Sequence, residues 1–123
     1  MQLLLYSQHS NENTDILSTL AESVISHNAL YECHSIEEVG FILRHSHISG
    51  TIALLFVADY DDLVNLLSLK DIFSYIRLII VLPTHNEELI ALAHRLRPRF
   101  LTFIDESHYT LKDVLKKILH NEE

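Results

Sequence analysis

Glycine and proline are scarce, with two of each in 123 residues. Long irregular loops and linkers draw on both, so regular structure is expected from end to end, as one domain over 1–123. A single cysteine, Cys33, excludes an internal disulfide. It follows Leu30, Tyr31 and Glu32 in a strand-like stretch, which suits a packed thiol in a reducing compartment. No apolar run reaches the roughly 20 residues that cross a bilayer. The apolar start, 1–6, is too short for a signal sequence. A cytoplasmic protein is expected.

Positive charge is also short. Nine Lys and Arg stand against 17 Asp and Glu, a formal net charge of −8, which argues against nucleic-acid and anionic-lipid partners. Through Ile76 two basic residues (Arg44, Lys70) face ten acidic ones; from Arg77 onward there are seven of each. Either a polarised partner surface or solvated helix faces would account for this asymmetry. Several catalytic signatures are missing as well. There is no Gly-x-Gly-x-x-Gly, no P-loop, no glycine-flanked nucleophile elbow and no His-Glu-x-x-His. No enzymatic activity, cofactor or metal is expected.

What is present is patterned apolar sequence. The run Thr51-Ile52-Ala53-Leu54-Leu55-Phe56-Val57-Ala58 has no polar alternation, as befits a strand covered on both faces. Asp59, Asp61 and Asp62 follow where that strand delivers its C-terminal end. Further strands are predicted over 2–6, 29–34, 77–82 and 100–104. Helical stripes lie between them. The first, capped by Asn13 or Thr14, carries Ile16, Leu17, Leu20, Val24 and Ile25 and stops at His27-Asn28. The second opens on the capping box Ser35-Ile36-Glu37-Glu38 and ends between Arg44 and His47. The third starts at one of the three aspartates, with a further turn over 70–73. Thr84 and Glu87 have capping-box spacing for a fourth that Pro98 ends. The last, capped by Ser107 or Asp105, carries Leu111, Val114, Leu115, Ile118 and Leu119.

Five β-α units with short connections force parallel pairing through right-handed crossovers. The expected architecture is a flavodoxin-like α/β fold, a three-layer α-β-α sandwich on a five-stranded parallel sheet of order 2-1-3-4-5. The more apolar first, third and fourth strands then fall in its interior.

Length, the five units and the acid closing the third strand resemble the receiver domain of bacterial response regulators. The resemblance spans the chain and is carried mainly by pattern. It implies a phosphoryl-accepting aspartate at Asp59, in Phe56-Val57-Ala58-Asp59, and a hydroxyl ending the fourth strand at Thr84. The acidic pair that holds Mg²⁺ in receivers is replaced by Ser7-Gln8, and the Lys-Pro ending the fifth strand by Ile104-Asp105. Phosphoryl transfer needs positive charge on the moving group, so a degenerate receiver with vestigial Asp59 and Thr84 is expected. The bland alternative is that one aspartate caps the third helix and all three favour its dipole.

The family's contact face implies partner-binding residues at His94, Arg95, Arg97, Arg99, Tyr109, Lys112 and Lys116. Arg and Tyr are frequent at interface centres. The partner implied is a sensor kinase, another receiver, an output domain or a second copy. Two other functions compete: a receiver still phosphorylated at Asp59 through unorthodox metal ligands, and a small-ligand or metal-binding domain. Among nine histidines, His45-Ser46-His47 is the one close pair, while His9, His85 and His108 would share the strand-end face. Solvated or capping roles are expected for them.

Overall fold

In the structure, a computed structural model, the chain is described over residues 2–8, 12–25, 29–45, 51–106 and 108–120, with only the backbone of 12–17, 108–109 and 119–120. The elements alternate as expected: β1 (Gln2–Ser7), α1 (Glu12–Val24), β2 (Leu30–Cys33), α2 (Ile36–His45), β3 (Thr51–Phe56), α3 (Tyr60–Leu67), α4 (Lys70–Phe73), β4 (Arg77–Leu82), α5 (Glu87–His94), β5 (Phe100–Phe103) and α6 (His108–His120). All strand pairs are parallel, in the order β2-β1-β3-β4-β5. This is the flavodoxin-like α/β architecture.

Strand length follows position in the sheet. The interior strands β1, β3 and β4 have six residues each and the edge strands four, because an edge strand has a partner on one side only. Alternate side chains enter opposite layers. Leu4, Tyr6, Ala53, Leu55, Leu78 and Ile80 pack with Val39 and Leu43 of α2, Leu63 and Leu66 of α3, and Leu89 and Leu92 of α5. Leu3, Leu5, Ile52, Leu54, Ile79 and Val81 pack with Leu20 of α1 and with Leu111, Leu115 and Ile118 of α6. Cys33 is fully buried in the first of these clusters. Burial, with the charge of Glu38 adding to it, pushes its thiol up to about 12. It is a packing residue, as the sequence suggests.

Of three helix starts, two differ from the expectation. Asn13 and Thr14 already lie inside α1, so neither caps it. The Ser35 box is present: the Ser35 hydroxyl accepts from the Glu38 amide (3.1 Å), while the Glu38 carboxylate reaches the amide of His34 (3.4 Å). At α5 the cap is Asn86, whose side-chain oxygen accepts from Leu89 N–H (3.0 Å); Thr84 stays in the loop before it. Asn is the stronger cap, and from Asn86 the acidic Glu87 and Glu88 fall in the first turn, against the positive end of the helix dipole.

The further turn expected over 70–73 is a short separate helix, α4. The chain leaves α5 through Arg97, at a φ of 54°, a left-handed geometry of the kind that ends many helices. The stop at His27-Asn28, the end of the second helix beyond His45, a cap at Ser107, and His9 fall outside the described residues. Among those described, no helix is long and apolar enough to cross a membrane.

Candidate functional site at the carboxyl ends of the strands

The sheet delivers its C-terminal edge to a row of ionisable groups, and β3 brings the first of them. The strand stops at Phe56; Val57 N–H still bonds Val81 C=O (3.0 Å), but the next amide leaves the ladder. Ala58 N–H instead donates to Oδ2 of Asp62 (2.9 Å). The other oxygen of Asp62 accepts from the Tyr6 hydroxyl at 2.5 Å. Asp62 is buried, as is Tyr6 at the end of β1, so one carboxylate ties β1, the end of β3 and the first turn of α3 together. Desolvation, followed by the hydrogen bond and charge of Asp62, holds the Tyr6 phenol protonated well above its usual range.

Asp59 takes the capping role. Its Oδ1 accepts from Asp62 N–H (2.8 Å), with an extended backbone one residue before α3. Asp59 and Asp62 thus form a capping-box variant, in which the acid at the third helical position reaches back to the amide of Ala58. Glu38 makes the same reach to His34 in α2.

Asp59 and Thr84, the two residues the receiver resemblance selects, are both exposed and line one cleft of about 370 Å³ between the starts of α3 and α5. The ionisable residues lining it are Asp59, Tyr60 and Glu88. Among the described residues, no lysine or arginine lines it.

The Mg²⁺ implied by the resemblance can be tested against these donors. Mg²⁺ calls for near-octahedral oxygen ligands with carboxylates among them. At the end of β1 stand Ser7, buried and with its carbonyl accepting from Nδ1 of His34 (2.9 Å), and Gln8. Both oxygens of Asp62 are engaged, and Asp59 offers one oxygen beyond its cap. These residues do not fit that ion.

At the next strand ends, the backbone pairing of β4 and β5 carries on to Ile104 N–H, which bonds Leu82 C=O (2.9 Å). That pairing sets His85 against Asp105: Nε2 lies 3.0 and 3.1 Å from the two carboxylate oxygens. The imidazole stacks on Phe103 at 3.7 Å and 21°. Ile104-Asp105 stands where the resemblance calls for Lys-Pro.

The residues expected on a partner face are divided. His94, Arg95, Arg97 and Arg99 are exposed around the end of α5 and the start of β5. Arg95 and Arg97 share a second cleft, of about 280 Å³, with Lys70 and Asp71. Lys112, half-buried, and Lys116, exposed, stand on α6 in the opposite helical layer. Tyr109 is in the first turn of α6, and its side chain is outside the described residues.

Sequence reasoning missed Tyr6 and the burial of Asp62. A signal existed: Asp62 falls at i with Leu63 at i+1 and Leu66 at i+4, on the apolar face of α3. Comparison with protein-family models, with curated proteins and with solved structures finds no match, so the site is read from its own residues alone.

Proposed function

We propose that this chain is a signalling module on a receiver-like fold that has no phosphoryl chemistry and acts through protein–protein contact. One observation carries the reading: among the described residues, the cleft that holds Asp59 and Thr84 is lined by the carboxylates of Asp59 and Glu88 and by no lysine or arginine. A phosphoryl group needs its spreading negative charge neutralised, and Glu88 on the same cleft adds negative charge instead. The partner is a sensor kinase, a second receiver or an output domain, with a weak or symmetric homodimer as the simplest case. The exposed cations Arg95, Arg97 and Arg99 in a chain of net charge −8 supply the polarity such a contact uses.

The test is titration with beryllofluoride and Mg²⁺, followed by amide NMR. No saturable shift is expected at Asp59 or Thr84. The competing reading, phosphoryl transfer to Asp59, draws on the fact that both residues share one cleft; saturable shifts at both would establish it. For the contact itself, sedimentation equilibrium of wild type against R95E/R97E is expected to show weaker self-association in the variant.

A further inference from the structure

We propose that His85, Asp105 and Glu106 form a binding site for a divalent transition-metal ion of the Zn²⁺ class. The inference stands apart from the proposed function, since it concerns a different corner of the sheet. One ligand atom from each of the three residues lies within 4.8 Å of the others, and all three residues are exposed. A Zn²⁺ ion sits about 2.1 Å from N and O ligands, which places neighbouring donors about 3.0 to 3.4 Å apart. His85 Nε2 and the Asp105 oxygens already have that separation, at 3.0 and 3.1 Å. The Glu106 carboxylate, within 4.8 Å of both, completes the set.

Two further features favour an ion over a bare ion pair. The ring is pre-oriented: stacking on Phe103 holds the imidazole plane with Nε2 directed at the carboxylate. The backbone that carries the carboxylates is fixed as well, because Glu106 N–H bonds Phe103 C=O (3.0 Å) in the turn that ends β5. Charge is the second feature. No lysine or arginine occurs in 78–94 or 100–111, the segments that build this corner, yet Glu87, Glu88, Asp105 and Glu106 fall within them. An ion bound here replaces the hydrogen bond between Nε2 and Asp105. One imidazole nitrogen with two carboxylates suits Zn²⁺ and its neighbours rather than Mg²⁺, and water fills the remaining positions.

The experiment is a titration of the full chain with ZnCl₂, followed by ¹H-¹⁵N correlation of the histidine side chains and by calorimetry. Saturable binding with a shift of His85 Nε2 is expected, unaffected by a large excess of Mg²⁺. H85Q and D105N should each weaken it about tenfold or more, and E106Q by a smaller factor. Binding at wild-type affinity in H85Q or D105N would place the ion on other histidines and overturn the site. An unmoved His85 signal would do the same, and displacement of Zn²⁺ by Mg²⁺ would overturn the ion class.

Discussion

Two carboxylate clusters sit along one edge of this sheet and have opposite characters. At the end of β3, both oxygens of Asp62 are consumed, by Tyr6 and by Ala58 N–H, and the group is buried. At the ends of β4 and β5, Asp105 and His85 are 67% and 52% exposed, and Glu106 beside them is also exposed. The same residue type is structural in one place and available in the other. Burial and the hydrogen bond held at each oxygen decide which, since a carboxylate closed off from solvent and bonded at both oxygens is not open to a ligand.

The comparison breaks first, and with the largest effect, in alkali. Tyr6 and Cys33 both hold their protons more tightly folded than unfolded. The unfolded chain therefore releases protons first, binds fewer of them, and gains on the folded state as pH rises. Stability should be intact below about pH 9 and fall progressively from there toward pH 12, and urea melts at stepped pH would show it. Y6F and C33A should each flatten part of that decline; an unchanged slope in both would mean the groups are not shielded.

Next in size is D62A, which orphans the Tyr6 hydroxyl and the Ala58 amide at about 1–3 kcal/mol each. Equilibrium denaturation should register a loss of about 3 kcal/mol. D59A removes a helix cap alone and should cost about 1 kcal/mol by the same assay. Smallest is D105N, whose effect on stability should stay below about 1 kcal/mol, as for other exposed pairs. A loss at D105N matching that at D62A would erase the distinction between the clusters.

Much of the fold was legible because it rests on periodicity. Unbroken apolar runs at 51–58 and 77–82 mark strands covered on both faces, and their alternation with amphipathic stretches leaves one topology. Helix starts were less legible. Thr84 and Asn86 both lie within reach of the same first turn, and the choice between them depends on where β4 releases the chain. Side-chain pairs distant in sequence were not legible at all. His85 and Asp105 are 20 residues apart, and only the register that pairs Leu82 with Phe103 brings them together. Tyr6 and Asp62, 56 apart, depend on the β1–β3 pairing in the same way. The cation-poor cleft was partly visible, since Ser7-Gln8 and Ile104-Asp105 stand where the resemblance calls for acids and a lysine.

Ala58 offers one more consequence. Its amide lies beyond the last rung of β3, yet a side chain shields it from solvent hydrogen. Exchange of that single proton is governed by how often the Asp62 carboxylate lets go, not by fraying of the strand. It is a built-in clock for the first turn of α3, readable in the intact molecule.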